Sequence, residues 1–483
     1  MTATHNDKET LLGLIRNGSP MTLRQQLRLT VLLSIPAILA QLSNIIMEYI
    51  DAAMVGSLGA NASASIGLVA TSTWLLWGMC SSAATGFAVQ VAHLTGASDN
   101  DGARSVLRQS FTAVMLFAAI LTAAGAAISS RLPLWLGGEE AIICDAAIYF
   151  RIFVLSMPFL QLLSLSGSML RCSGNILVPG AVNIAMCVLD VVFNAFLIFP
   201  TREITVAGAT FTLWGAGLGV EGAAWGTAAA SAIGALTLFV YMWFRSKELR
   251  LAGTKGSFRI TSRCLRKAFK IGMPIGVEHV LICGAQIMTT VIVAPLGAIA
   301  IAAHSLAVTA ESLCYMPGSG IGDAATTLTG QAIGAGRRTL TRRFARISVW
   351  TGIAVMSVMG AVMYFAAPLM MGIITPVEAI RSAGVEILRI EAFAEPMFAA
   401  SIVAYGVFVG AGDTLVPCTM NLGSIWAVRL TLAAILAPTM GVKGVWIAMC
   451  IELCFRGAIF LVHLYREKWL KLPDKEKQST EKA

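Results

Sequence analysis

One apolar stretch, residues 179–200, carries polar side chains at helical spacing. Asn183, Cys187, Asp190 and Asn194 follow one another at intervals of three or four residues, so a helix would place them on one face. The stretch is long enough to cross a bilayer as a helix. A charged carboxylate in mid-membrane costs about 2.5–3.5 kcal/mol on insertion scales, so water, a partner or a bound cation must offset it. The pattern favours a cation or proton site at Asp190; the alternative is a carboxylate that only fixes helix packing.

The composition indicates an integral membrane protein. The chain has 483 residues, of which 57% are hydrophobic and 13% charged, and its mean hydropathy is +0.76. Soluble proteins of this length are far less apolar, and the apolar runs are too long and continuous for a β-barrel. The net charge of +9 does not indicate nucleic-acid binding, because Lys and Arg lie between the apolar runs. The ten cysteines lack metal-ligand spacing and are expected to be small core residues.

Twelve apolar runs predict twelve transmembrane helices. They lie near residues 29–55, 63–92, 108–130, 147–170, 178–199, 219–244, 271–295, 299–333, 344–371, 384–410, 416–438 and 444–465. Lys and Arg are concentrated in the connections on one side of the membrane, so we expect both termini in the cytoplasm and the chain in the inner (plasma) membrane. The expected parts are a cytoplasmic N-terminal tail, a first six-helix lobe, a basic cytoplasmic linker, a second six-helix lobe and a cytoplasmic tail, at residues 1–28, 29–244, 245–270, 271–466 and 467–483.

The two predicted lobes are internal copies. A shift of 238 places Gly96 on Gly334, Pro158 on Pro396, Pro179 on Pro417 and Asn183 on Asn421. After the fifth helix the shift becomes 222, which leaves a 16-residue insertion in the first half whose alternating pattern predicts an external β-hairpin. Each half holds an even number of helices, so we expect parallel six-helix bundles around a central cavity, an architecture typical of alternating-access transport. Matched prolines at 36, 274, 158 and 396 predict breaks or kinks.

Several segments resemble the multidrug and toxic compound extrusion (MATE) family. They are YIDAAMVGSLG around Asp51, GQAIGAGR at 330–337, VGAGDTLVP at 409–417 and its first-half copy LRCSGNILVP at 170–179. The resemblance covers essentially residues 29–466. It implies twelve helices in two lobes around a V-shaped central cavity, and export of organic cations and other drugs driven by Na+ or H+ entry. It implies no cofactor beyond the coupling ion, and no metal beyond Na+.

The resemblance also implies a cation site in the first lobe. Many bacterial members combine an Asp on the first helix with Asn-x-x-x-Asp on the fifth. Asp51 fits the first position, whereas the fifth helix here has Asp190-x-x-x-Asn194, with the order exchanged. We therefore predict a cation-coupling site comprising Asp51, Asp190, Asn194 and Asn183. Asp51 maps to Thr289 and Asp190 to Val428, so we expect this site in one lobe only.

The second half has unmatched acids of its own. Glu278, Glu311 and Glu395 map to Ala40, Thr73 and Met157, and we expect coupling or substrate roles for them. Glu391 and Glu395 are expected to share one face of the tenth helix. Glu452 and Arg456 are expected to form an ion pair, and Arg429 to neutralise one of the second-lobe acids. Asp323 maps to Thr85 and is expected near the cytoplasmic end.

Adaptable and aromatic side chains are candidates for a drug cavity, because Met repacks easily and aromatic faces attract organic cations. The candidates are Met47, Met54, Trp74, Trp77, Tyr315 and Met316; packing or lipid contact is the alternative for each.

The sequence therefore predicts a secondary antiporter and not an enzyme. The motifs HExxH, GxxxxGK[ST] and GxSxG are absent, and no ATPase domain is present. We expect small organic substrates and membrane lipid as partners, no nucleic acid, and a monomer. Two alternatives stay open: a flippase for lipid-linked precursors, from a related superfamily, and an integral-membrane enzyme that modifies lipids.

Overall fold

The chain folds almost entirely into long helices. The structure, a computed structural model, describes residues 2–206 and 209–470. Helices α1 to α8 are Thr2–Arg16, Leu23–Gly56, Ala60–Gly96, Asn100–Ile128, Leu132–Trp135, Glu140–Cys172, Leu177–Leu197 and Val220–Phe244. Helices α9 to α16 are Ser262–Val293, Ala298–Gly334, Arg338–Ile374, Glu378–Glu391, Glu395–Ala411, Leu415–Gly423, Leu430–Met440 and Val442–Arg466.

These helices supply up to twelve membrane spans. Within the described residues, eleven are long and apolar enough to cross a bilayer, counting Leu415–Met440 as one segment. Helices α12 and α13 supply the twelfth as a pair bent by 61°. The predicted all-α membrane fold with twelve spans is confirmed.

The two halves repeat helix by helix. Helices α3 and α10 begin and end 238 positions apart, and α8 and α16 begin and end 222 positions apart. Between α7 and α8 lies the expected insertion, an antiparallel hairpin of strands β1 (Pro200–Val206) and β2 (Ala209–Ala216). We refer to helices α2–α8 as the first lobe and to α9–α16 as the second.

Of the four prolines predicted to break or kink a helix, one lies at an interruption of the helix. Pro36, Pro158 and Pro274 lie inside uninterrupted helices, whereas Pro396 follows the break between α12 and α13. Glu391 ends α12 and Glu395 begins α13. The prediction that these two acids share a face of one continuous helix is therefore wrong, because the chain leaves the helical path between them.

The N-terminal segment is helical and packed. Leu11, Leu12 and Ile15 of α1 are buried in a cluster with residues of α2, α10 and α11. A capping box follows, in which the Thr22 hydroxyl accepts from Gln25 N at 3.3 Å and the Gln25 side chain accepts from Thr22 N at 2.9 Å. Helix α2 therefore begins at Leu23, within the segment expected to be a tail.

The lobes contact each other at one end of the bundle. We call this end the basic face; it contains α1, the connection 245–261 and the turn at 335–337, and the opposite end is the hairpin face. Hydrogen bonds to backbone carbonyls cross between the lobes there. They run from Thr327 to Arg171 O at 3.1 Å, Gln331 to Cys172 O at 3.0 Å, His93 to Gly410 O at 2.8 Å and Gln90 to Cys264 O at 3.3 Å. The lobes are thus in tight contact at the basic face.

Candidate functional site

Asn194 joins two carboxylates inside the first lobe. Its Nδ2 donates to Asp51 Oδ1 at 2.8 Å and to Asp190 Oδ2 at 3.2 Å. Asp190 and Asn194 are fully buried, and Asp51 is half-buried. The structure thus brings together three of the four residues predicted for cation coupling, from helices α2 and α7.

Two oxygens of this group have no hydrogen-bond partner. They are Asp190 Oδ1 and Asn194 Oδ1, both buried. A β-carbon at Gly226 of α8 would lie only 2.0 Å from Asn194 Oδ1, so α8 packs tightly behind the amide. Unpaired carboxylate and amide oxygens are the ligands that hard cations prefer, and a carboxylate can equally take a proton. The donor set therefore fits either Na+ or H+.

Asn183 lies two turns closer to the basic face. Its Nδ2 donates to Asn44 Oδ1 at 2.8 Å and to Ala40 O at 3.1 Å. Helices α2 and α7 therefore stay in contact along one polar stripe, at Asn44 and again at Asp51. The structure separates Asn183 from the carboxylates and places it in the wall of a cavity.

Several neighbours of the carboxylates are not among the residues predicted from the sequence. Glu48 lies one turn before Asp51 on α2 and interacts with it electrostatically. Half-buried Tyr149 of α6 lies close to both carboxylates, and Thr227 of α8 lies beside Asp190. Helical spacing could have indicated Glu48, but nothing local points to residues on α6 and α8.

A cavity of about 140 Å³ lies within the first lobe. Its polar lining comes from Gln41, Asn44, Ser81, Ser164, Arg171, Asn183 and Asp323. Of the six residues predicted for a drug cavity, only Trp77 lines it. Trp74 instead stands edge-on to His279, Tyr315 packs against Phe398, and Met54 contacts a buried cluster near the hairpin face. Met47 and Met316 are half-buried and lie outside this cavity.

Glu278 has a complete set of partners in the second lobe. Its carboxylate accepts from Tyr405 Oη at 2.6 Å, Cys418 Sγ at 2.8 Å and Asn421 Nδ2 at 2.5 Å. Asn421 is the repeat counterpart of Asn183, and Glu278 that of Ala40, so the same pair of helix positions touches in both lobes. The second lobe adds a carboxylate at this contact, which is 4% exposed.

Glu452 neutralises two arginines. Arg456 donates to it at 2.8 and 2.9 Å, Arg429 at 3.0 and 2.7 Å, and Ser424 at 2.5 Å. A π-helical segment, Ser424–Arg429, carries two of these partners. The expected Glu452–Arg456 pair is present, and Arg429 joins it.

Three other acids of the second lobe lack such ion pairs. Glu391 and Glu395 are 0% and 1% exposed, and none of their carboxylate oxygens has a hydrogen-bond partner. Glu311 is 6% exposed and interacts electrostatically with both. Unpartnered carboxylates buried in a membrane are costly when charged, so this group too has the chemistry of a proton site.

The described residues contain no group of three or more His, Cys, Asp or Glu side chains that could hold a metal ion. The two lobes, the single-copy carboxylates and the polar cavity define a multi-pass membrane transporter.

Comparisons with known proteins agree with this class. The MatE family model matches residues 36–196 and again 274–435, and the two matches begin 238 positions apart. The chain is 24% identical to a probable multidrug resistance protein NorM of Thermotoga maritima over 442 residues, covering 91% of this chain and 92% of that one. It is 28% identical to the NorM protein of Deinococcus radiodurans, covering 89% and 93%.

Solved structures share the fold. A crystal structure of MATE in complex with MaL6 matches with a TM-score of 0.85 at 18% identity, covering 95% of this chain and 98% of that one. A MOP superfamily transporter from Pyrococcus furiosus also matches with a TM-score of 0.85 at 18% identity, covering 96% and 99%. Because the family model matches well over half of the sequence, the chain belongs to the MATE family of efflux transporters, and it is a transporter and not an enzyme.

Proposed function

We propose that this transporter exports drugs and other organic compounds, cationic ones among them, in exchange for Na+ or H+. Its curated relatives are named as probable multidrug resistance proteins. The basic connections support a position in the inner membrane with the basic face in the cytoplasm. The protein acts as a monomer, because each chain contains both lobes and a complete carboxylate site.

The coupling proposal rests on the amide of Asn194, which donates to both carboxylates. Since Nδ2 reaches both carboxylates, the bonded oxygens lie at most about 6 Å apart. Two negative charges at that distance repel by about 3 kcal/mol at an effective dielectric constant of about 20. One Na+ ion or proton relieves this repulsion and satisfies the unpaired oxygens of Asp190 and Asn194. The site is therefore most stable when it holds one added positive charge.

Ion binding and substrate binding are linked through α2 and α7. These helices hold the carboxylates at one level and Asn44 and Asn183, in the cavity wall, two turns away. An ion that draws Asp51 toward Asp190 changes the packing of the same two helices beside the cavity. Linkage then requires that the substrate alters ion affinity by the same factor as the ion alters substrate affinity.

Dye efflux from proteoliposomes tests the proposal. The purified protein is reconstituted, and ethidium efflux is followed with an imposed Na+ gradient or an imposed proton gradient. We expect efflux under at least one gradient, and a loss of ten-fold or more in Asp190→Asn and in Asp51→Asn. Asp145→Asn is the matched control, because it makes the same change at an exposed position of the first lobe. Unchanged efflux in both site variants under both gradients would exclude the first-lobe coupling site.

The second-lobe acids are a further part of the same proposal. Glu278, Glu311 and Glu395 are buried in one lobe and have no acidic counterpart in the other. We expect Glu278→Gln and Glu395→Gln to reduce proton-driven efflux more than Na+-driven efflux, because glutamine cannot release a proton. Equal efflux to wild type under both gradients would assign these acids to packing.

The cavity size favours small molecules over lipid-linked precursors. A cavity of about 150 Å³ accommodates a molecule the size of benzene, which is close to the volume seen here. The intramembrane arginines at 429 and 456 are bound to Glu452 and do not form a basic groove.

A further inference from the structure

One side chain from the second lobe enters the first-lobe cavity. The cavity is lined by residues of α2, α3, α6, α7 and α8, all in the first lobe, and by Asp323 of α10. Asp323 therefore belongs to this cavity only while the lobes are in contact at the basic face. A carboxylate that enters and leaves a binding cavity with the transport cycle would change the affinity of that cavity for positive charge.

The Asp323 carboxylate is only loosely neutralised. Its charged neighbour is Arg171, whose Nε lies 3.9 Å from Asp323 Oδ2. A charge-assisted hydrogen bond is about 2.7–2.9 Å long, so this pair falls short of one. Among the described residues, no group donates a hydrogen bond to the carboxylate of Asp323. The Arg171 and Asp323 side chains are 33% and 38% exposed, so both remain open to the cavity.

The pair is not what holds the lobes together at this point. The adjacent cross-lobe bonds run from Thr327 and Gln331 to the backbone carbonyls of Arg171 and Cys172. Those bonds do not depend on the Arg171 side chain, which donates to Ser168 Oγ at 3.1 Å within its own helix. The repeat counterparts of Asp323 and Arg171 are Thr85 and Val409, so the second lobe has no equivalent pair in a cavity of its own.

We propose that Asp323 binds the positively charged nitrogen of an exported organic cation, and that Arg171 is its built-in competitor. This rests on the proposed export function and names a specificity residue for it. When the lobes part at the basic face, Asp323 moves away from Arg171 and is free to bind a cation from that side. When they close, the guanidinium returns, competes for the carboxylate and drives the cation off.

The cavity also indicates which group is attached to the charged nitrogen of the substrate. With the lobes closed, its volume of about 140 Å³ leaves room for only about one aromatic ring, so a larger cation such as ethidium binds while the lobes are apart at the basic face. Trp77 presents a partly exposed ring in the same wall, 46% accessible, against which such a group can stack. The substrate class is therefore an amine or quaternary ammonium compound with an aromatic group near the charged nitrogen.

Opposite effects of the two partners test the proposal. Ethidium binding to the purified protein in lipid nanodiscs is measured by fluorescence polarisation, without any ion gradient. We expect Asp323→Asn to weaken binding about ten-fold, because the carboxylate is lost. We expect Arg171→Gln to tighten it several-fold, because the competitor is lost. Asp145→Asn serves as the exposed control, and the uncharged dye Nile red should bind all variants equally.

If Asp323 and Arg171 have only a structural role, the two substitutions will not have opposite effects on ethidium binding. If Asp323→Asn and Arg171→Gln both weaken ethidium binding, or if neither changes it, the proposal is wrong. Asp323→Glu keeps the charge and should keep the affinity, which guards against a folding defect in the Asn variant. Failure of the export function is distinguishable: binding would then change as expected while no gradient drives efflux.

Discussion

Asn194 has a role that neither neighbouring carboxylate could take. Its amide is the donor that Asp51 and Asp190 share, and a third carboxylate at this position would add repulsion and no donor. Its own carbonyl oxygen stays unpaired and buried, available to a cation. The order Asp190-x-x-x-Asn194 therefore preserves the chemistry of the family pattern, because both side chains still lie on one face of α7.

Replacing Asn194 by Ala should impair coupling severely. The substitution removes the donor and leaves two close carboxylates, one of them fully buried, without it. Hydrogen bonds to charged groups contribute about 1.5–3 kcal/mol, so we expect ion-driven efflux to fall about 10- to 100-fold. Proteoliposome efflux under the effective gradient measures this. Asn61→Ala, at an exposed site of the first lobe, should behave as wild type, and a fully active Asn194→Ala protein would contradict the bridging role.

How far the residues could be predicted depends on whether their partners are local. Periodicity placed Asp190 and Asn194 on one face, and the family resemblance directed attention to Asp51. Nothing local indicates that Tyr405 and Cys418 donate to Glu278, because they come from two other helices more than a hundred residues away. Tertiary partners of this kind are set by helix packing, which a sequence pattern does not contain.

Helix α8 acts on the carboxylate site through a glycine. A β-carbon at Gly226 would meet Asn194 Oδ1 at 2.0 Å and Asn194 N at 3.2 Å. The side chain of Asn194 cannot retreat without losing its bonds to Asp51 and Asp190. The close approach of α7 and α8 therefore fixes the orientation of the bridging amide.

Gly226→Ala should reproduce part of the Asn194→Ala defect although it removes no polar atom. Overpacking of this kind typically costs about 1–3 kcal/mol, so we expect efflux to fall several-fold or more. Gly67→Ala is the matched control, because a β-carbon at Gly67 of α3 meets nothing within 4 Å. Efflux in the two alanine variants is compared at equal amounts of reconstituted protein. Equal activity would show that the amide tolerates displacement.

The repeat predicted whole elements better than their interruptions. It gave matching bounds for α3 and α10, and it located the β-hairpin as an insertion. It predicted breaks or kinks at both Pro158 and Pro396, but the 61° bend occurs before Pro396, whereas Pro158 lies in a continuous 33-residue helix. The two prolines occupy equivalent positions, so the difference arises from the surroundings and not from the local pattern.

At the scale of the whole molecule, two glycines at equivalent positions of the repeat lie where α3 and α10 of the two lobes meet. We call this contact the seam. A β-carbon at Gly96 would lie 2.1 Å from Gln331 O, and one at Gly334 would lie 1.9 Å from His93 O. These glycines are repeat counterparts, so each lobe contributes one glycine to the contact. Small residues of this kind let membrane helices approach closely.

Gly334→Ala should force the lobes apart at the basic face. The obstacle is backbone, which cannot rotate away as a side chain can. We expect a lower temperature of unfolding, corresponding to about 1–3 kcal/mol, and greater reactivity of a cysteine introduced in the seam. Gly423→Ala, in the second lobe with nothing within 4 Å, is the control. Unaltered stability and cysteine reactivity would mean that the seam is looser than described.

Helix α1 spans this seam from outside the membrane. On the first-lobe side, Arg16 donates to Ser173 O at 2.9 Å and to Glu248 at 2.9 Å. From the second lobe, Arg337 donates to Leu14 O at 2.9 Å and to Ser19 O at 2.7 Å. The apolar side of α1 is buried against α2, α10 and α11. The sequence pattern predicts a polar tail here. The structure shows a helix that connects the two lobes at the basic face.

The contacts that α1 makes with the second lobe can be tested by substitutions that leave the membrane spans unchanged. Arg337→Ala removes one hydrogen bond to Leu14 of α1 and one to Ser19 just beyond its end, whereas Arg338→Ala removes the same charge from an exposed neighbour. We expect only Arg337→Ala to destabilise the closed basic face, by about 1–3 kcal/mol. The measurement is the alkylation rate of a cysteine placed at Leu12, which is 4% exposed in the intact protein. Faster labelling in Arg337→Ala alone would show that α1 stabilises the contact between the lobes at the basic face. Equal rates in the two variants would show that α1 does not contribute to that contact.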